Sequence, residues 1–163
     1  MKSVILFRHG KSNWDIDYGL DHERPLSNKG SRDAKTMGKY LAKLNQIPEL
    51  VISSTALRAK TTAELSIKEG GWKSKFILEK KIYQSLPEDL LNILKLLKDD
   101  KNIVCLTGHE PTFSSFISLS TNSSWIPFTT ASMARLDYKI DRWENIKFSI
   151  GKLAWLRRPK ELD

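Results

Sequence analysis

Three points of the chain carry groups suited to gripping an anion and moving it: Arg8-His9-Gly10, Arg58 and Gly108-His109. An arginine presents a rigid fork of N–H donors that fits phosphate or carboxylate in bidentate fashion. A histidine can act as nucleophile or proton carrier near neutral pH, and a glycine lets the backbone come close to a ligand. Two guanidiniums and two imidazoles in one place would repel each other unless an anion sat between them. Phosphate is the natural occupant, held by the arginines and by helix-terminal N–H groups. A divalent cation is disfavoured beside two arginines, and none of the histidines, His9, His22 and His109, stand at the i, i+4 spacing of a helical zinc site. No metal and no cofactor are therefore expected. Taken singly, His9 or His109 could equally be a satisfied polar residue at the end of a strand; the full set weakens that alternative.

These residues can share a pocket only if the fold gathers them, and the pattern of elements predicts that it does. Val4 to Phe7 reads as a buried strand, followed by a polar segment from Arg8 to Pro25 with no regular element. Ser27 is placed to cap a helix whose apolar positions Ala34, Met37, Leu41 and Leu44 recur at helical spacing. Leu50 to Ile52 forms a second strand, and a helix runs from about Ala56 to Lys68 before Gly70-Gly71. Phe76 to Leu78 is a third strand. Pro87, Glu88 and Asp89 open a helix with the stripe Leu90, Ile93, Leu94 and Leu97. Ile103 to Thr107 is a further strand, and Gly108-His109-Glu110-Pro111 turns into a helix bearing Phe113, Phe116 and Ile117. Met133 to Tyr138 and Phe148 to Leu156 read as a closing antiparallel hairpin through Asp141-Arg142. Strands alternating with helices imply an α/β fold, a three-layer α/β/α sandwich with a mainly parallel sheet and an antiparallel edge, over a single domain spanning 1–163. In such a sheet the carboxyl ends of the strands lie along one edge, where ligands bind.

Composition sets the outer bounds. The chain has 163 residues, 40% hydrophobic and 28% charged, the mix of an ordinary globular protein. Neither a membrane-spanning stretch nor a signal peptide is read from it, so a cytoplasmic protein is expected. Cys105, the lone cysteine, lies in an apolar run and is expected to be a small core residue. The net charge of +8 attracts anions in general, but the lysines are scattered without aromatic interleaving, which argues against a nucleic-acid partner.

The quoted residues resemble the histidine phosphatase superfamily, with its phosphoglycerate-mutase-like fold. The stretches Arg8 to Trp14, Asp21 to Leu26, Gly108 to Pro111 and Leu156 to Leu162 look like the SixA-type branch, the phosphohistidine phosphatases. The resemblance implies that His9, as a neutral imidazole, attacks phosphorus and becomes a phosphohistidine. Arg8, Arg58 and a protonated or at least donating His109 would clamp the phosphoryl oxygens, with His9 and His109 in opposite protonation states. Arg24 is either a further phosphate contact or a partner for Asp21, and Ser12 and Lys11 could reach the phosphate through the loop. The general acid is the weak point: Tyr83-Gln84-Ser85 offers no carboxylate, leaving Asp21 and Glu23 as candidates. Lack of a dedicated acid would suit a phosphoramidate, whose protonated nitrogen leaves easily. The expected reading is a metal-independent phosphatase for protein phosphohistidine that releases inorganic phosphate. The short remaining sequence leaves little for a lid, which suits a phosphate presented on a protein. A small-molecule phosphoester phosphatase and a non-catalytic phosphate-binding module are the alternatives.

Overall fold

Alternation along the buried strands builds the layers. The computed structural model describes residues 1–162 and runs β1 (Lys2–Arg8), α1 (Asn28–Lys43), β2 (Leu50–Ser53), α2 (Leu57–Gly70), β3 (Lys75–Leu78), α3 (Pro87–Lys95), β4 (Ile103–Gly108), α4 (Thr112–Thr121), β5 (Met133–Tyr138) and β6 (Gly151–Arg157). The strands form one sheet ordered β3-β2-β4-β1-β5-β6. The first four are parallel, and β5 and β6 are antiparallel additions at one side. This is the expected α/β arrangement, a mainly parallel sheet with an antiparallel edge.

Because successive side chains of a strand point to opposite faces, β1 feeds two cores. Val4 and Leu6 join Leu106, Leu90, Phe113 and Phe116 on the face covered by α3 and α4. Ile5 and Phe7 join Cys105, Met37, Leu41 and Ala63 on the face covered by α1 and α2. Near-continuous apolar runs, rather than alternating ones, are what a doubly covered strand requires. Cys105 is fully buried in this second core, and desolvation pushes its thiol up to about 12, so it is an inert packing group.

The local signals for the helix starts operate as their chemistry dictates. The Ser27 hydroxyl accepts from the Gly30 N–H at 3.0 Å and caps α1. Asp89 reaches back to the Leu86 N–H at 2.8 Å, which accounts for its carboxylate as a helix-start group. The loop after β1 lies directly on the first turn of α1. A Cβ on Gly10 would sit 2.6 Å from the Gly30 carbonyl oxygen, so glycine at both positions is a packing requirement of the loop that carries His9.

The structure departs from the sequence reading in four places. The segment from Arg8 to Pro25 is not wholly irregular: Ser12 bridges to Leu26, and Asp21–Glu23 forms a 3-10 turn. α2 extends to Gly70 and is closed by Gly71 in the left-handed conformation. α3 ends at Lys95, so Leu97 packs on the core from beyond the helix. The last two strands do pair, but not as a tight hairpin. β6 starts at Gly151, and the connection carries the 3-10 turn Trp143–Asn145, with Trp143 and Ile146 buried and Phe148 stacked edge-on against Phe116 at 5.6 Å. A period-2 pattern cannot separate a strand from a loop whose aromatic residues are used to cover a core.

Candidate active site

Sheet register brings the chemistry together. Arg8 stands opposite Gly108, and Ser53 stands opposite Thr107. The ladder continues one residue further on both sides: His9 N–H donates to Gly108 O at 3.0 Å and Ser54 N–H to Thr107 O at 2.9 Å. These bonds set His9, Ser54 and His109 side by side at the carboxyl edge, with the two imidazole centroids 5.3 Å apart. Arg58, in the first turn of α2, completes the group. A cavity of about 680 Å³ opens there, and Arg8, His9, Ser12, Arg24, Arg58 and His109 all line it. The structure thus brings together the six residues singled out from the sequence; Lys11 and Asp21 also line the cavity, and Glu23 and His22 do not.

The two histidines have defined roles in the hydrogen-bond network. His9 Nδ1 lies 2.7 Å from the carbonyl oxygen of Gly10, which can only accept, so Nδ1 carries the proton and the lone pair falls on Nε2. His109 Nε2 meets the Ser54 hydroxyl at 2.8 Å, and that same oxygen also accepts from the Ala56 N–H at 3.2 Å. Burial is the main cause that lowers His9 to about 4, with Arg58, Arg8 and Arg24 acting in the same direction. His109 is lowered to about 3, again by burial first and then by His9 and Arg58. Near neutral pH both imidazoles are therefore uncharged. Burial is the larger cause, and the arginine charges that attract an anion add to it by repelling a proton. A bound phosphate dianion would oppose that repulsion, so His109 acts as a neutral donor or takes its proton together with the anion.

That arrangement sets the pH dependence. A histidine whose folded pKa lies below its unfolded value of about 6.5 costs stability as the pH falls between the two values, because the unfolded chain binds the proton more readily. Folding stability should decline from about pH 6.5 down through about 3, the lower bound set by His109 and an intermediate one near 4 by His9. His9 should keep its lone pair over the whole range above about pH 5. A histidine titration followed by NMR checks this, and a His9 that protonates near pH 6.5 would contradict it.

The arginines are anchored on one side and unspent on another. Arg8 Nη1 donates to Phe128 O at 3.0 Å, and Arg58 donates to Asp21 through Nη1 to the carbonyl at 2.9 Å and Nη2 to the carboxylate at 3.1 Å. Arg24 Nη2 pairs with Asp21 at 3.0 Å, and its guanidinium stacks 3.6 Å over the Trp14 ring. Arg24 is thus both a partner of Asp21 and a lining residue. The Nε atoms of Arg8, Arg24 and Arg58 and the hydroxyl of Ser12 are buried without a hydrogen-bond partner. Four unsatisfied polar groups around one cavity mark a place built for a ligand with several acceptor oxygens.

Asp21 is unsuited to donate a proton. The Tyr83 hydroxyl at 2.7 Å, with Arg24 and Arg58, holds its carboxyl well below the usual carboxylate range. Glu23, the other candidate, lies outside the cavity. Ser54, Tyr83 and Glu110 are site residues that reasoning from the sequence did not assign. Glu110 lines the cavity and accepts from the Ser114 N–H at 2.6 Å, a local tie to the start of α4. For Ser54 a signal existed, since it follows a strand end directly; Tyr83 had none beyond the missing carboxylate.

An imidazole with its Nε2 lone pair free, beside another imidazole and three arginines at the carboxyl edge of an α/β sheet, is an arrangement chemically suited to phosphoryl transfer. The branch 1 model of the histidine phosphatase superfamily matches residues 4–82 of the chain. Over 94% of the chain and 99% of the relative, it is 26% identical to an uncharacterized protein of Mycobacterium leprae (strain TN). Its fold superposes on the protein histidine phosphatase SixA complexed with tungstate with a TM-score of 0.85, at 21% identity over 99% of both chains. SixA from Agrobacterium tumefaciens gives a TM-score of 0.81 at 22% identity, covering 97% of this chain and 98% of that one.

Proposed function

We propose that the protein is a metal-independent phosphatase that works through a phosphohistidine at His9 and acts on phosphohistidine of a partner protein. In the first step the His9 Nε2 lone pair forms a bond to phosphorus while the bond to the leaving group breaks, and that group departs with its electron pair and a proton. In the second step water attacks phosphorus, the Nε2–P bond breaks, and inorganic phosphate is released with His9 restored. Arg8, Arg58 and His109 would stabilise the oxygens on which charge accumulates in both steps. Arg24 and Ser12 would add contacts to the bound phosphoryl group. The observation that carries this reading is the Nδ1 hydrogen bond to Gly10 O, which leaves a nucleophilic Nε2 beside the guanidiniums.

The substrate class follows from the acid. The cavity carboxylates are Asp21, held ionised, and Glu110, engaged with Ser114. Asp21 in that state cannot protonate an alkoxide, which supports a phosphoramidate whose nitrogen arrives already protonated. A second reading has its own support. A cavity of about 680 Å³ has the size of a small-molecule pocket, so a phosphorylated metabolite is the alternative substrate. A panel of phosphohistidine protein, aryl phosphate and metabolite phosphates at equal enzyme concentration decides between them. The phosphoprotein should give the highest kcat/KM, and a metabolite ahead of it would make the small-molecule reading the better one.

Metal independence is tested by chelation. The arginine clamp supplies the positive charge that a bridging cation would otherwise bring, so exhaustive chelation should leave the rate unchanged. A rate that vanished with chelator and returned with added magnesium or zinc would overturn this part of the mechanism.

A further inference from the structure

Asp21 is the most heavily engaged carboxylate of the cavity, yet neither chemical step uses it. One oxygen accepts from Arg24 at 3.0 Å, and the other accepts from Arg58 at 3.1 Å and from the Tyr83 hydroxyl at 2.7 Å. Its backbone carbonyl takes a second bond from Arg58 at 2.9 Å. One residue thereby ties together the 3-10 turn, the first turn of α2 and the segment after β3. The side chain is half exposed, whereas those of Arg24 and Arg58 are almost wholly buried, at 8% and 7% exposure. The carboxylate is thus the outer member of the group and the guanidiniums are the inner ones.

We infer that Asp21 is a positioning residue that holds Arg24 and Arg58 in the orientation in which they meet the transferring phosphoryl group; this rests on the phosphatase reading above. The geometry favours support over competition. Asp21 engages only two of the five N–H groups of Arg58, both on terminal nitrogens, and only one of Arg24. The remaining donors are left for a second anion. Arg24 is held between two surfaces, the Asp21 carboxylate and the Trp14 ring at 3.6 Å. Long, flexible, like-charged side chains would otherwise spread apart, and fixing them in advance removes that reorganisation from the reaction. The Tyr83 hydroxyl fixes the carboxylate in turn, and its ring sits edge-on to His109 at 5.6 Å, so the same contact links the clamp to the second histidine.

The test uses Asp21→Ala, Asp21→Asn and Tyr83→Phe in the full chain, with vanadate and inorganic phosphate as binding probes and aryl phosphates of graded leaving-group pKa as substrates. Asp21→Ala should weaken vanadate binding, measured by calorimetry, by about 10- to 100-fold, the effect of losing aligned charged donors. Phosphate binding should change by only about threefold, because removing a negative charge strengthens attraction for any anion and offsets part of the lost alignment. The fall should appear in kcat rather than KM and be the same for every leaving group. Asp21→Asn keeps an acceptor oxygen for the arginines and should recover to within about tenfold of the original protein, and Tyr83→Phe should fall between the two. Tighter vanadate binding in Asp21→Ala would show a competitor of the substrate and overturn the inference. A loss that grows with leaving-group pKa would show a proton donor and would also overturn it. A lowered melting temperature with unchanged vanadate affinity would reduce Asp21 to a fold residue. Vanadate binding reads the arginine geometry without turnover, so an unmodified protein that binds vanadate but hydrolyses nothing would sink the proposed function and not this inference.

Discussion

Replacing His9 by alanine removes turnover of every phosphorylated substrate, by about four orders of magnitude or more, the scale seen when a covalent nucleophile is lost. Binding of inorganic phosphate should stay within a few-fold. The proposed donors belong to Arg8, Arg58 and His109, and the anchors of those residues, Phe128 O, Asp21 and Ser54, do not involve the His9 ring. His9 also lowers the pKa of its neighbour, so His109 in the variant should take up a proton at higher pH than in the original protein. Brief reaction of the unmodified protein with labelled substrate should leave label on His9 that is lost in acid and kept in alkali. Normal turnover by the variant, or label on a serine, would end the phosphohistidine mechanism.

The second large effect is a preference among leaving groups. With Asp21 held ionised by Tyr83 and the arginines, that carboxylate cannot protonate a departing alkoxide. Phosphohistidine and activated aryl phosphates need no such help, whereas alkyl esters do. Their kcat/KM values should differ by about two to four orders of magnitude, the range of general-acid catalysis. The measurement is a plot of log kcat/KM against leaving-group pKa, expected to be steep. A flat plot, with sugar phosphates hydrolysed as fast as aryl phosphates, would show that an acid is present, and Glu110, the other carboxylate of the cavity, would be the next residue to replace.

Much of this was legible in the sequence. Residues Val4 to Phe7, Ile103 to Thr107 and Leu50 to Ile52 are apolar on both faces, and only strands covered on both sides have that composition. From three such strands, each ending in a charged or polar group, a shared carboxyl edge follows, and with it the gathering of Arg8, His9, Arg58 and His109. Ser27 and the Pro87-Glu88-Asp89 turn are likewise local signals, because caps act on the backbone within a few residues. The start of β6 was not legible, since Phe148 has a strand-like neighbourhood in sequence and serves instead as a cover for Phe116. Nor was the use of Tyr83, which acts through Asp21, a residue 62 positions earlier.

The division has a physical basis. Residue types and their place at strand ends are properties of short segments, so the sequence by itself determined the layer order, the histidines at the strand ends and the positive charge of the pocket. Protonation states and partner choice depend on burial and on every charge within a few ångströms, which come from distant parts of the chain. Only the tertiary structure could therefore decide that both imidazoles are lowered well below their ordinary value, that His9 presents Nε2, and that Asp21 is bound to two arginines and a tyrosine instead of holding a proton.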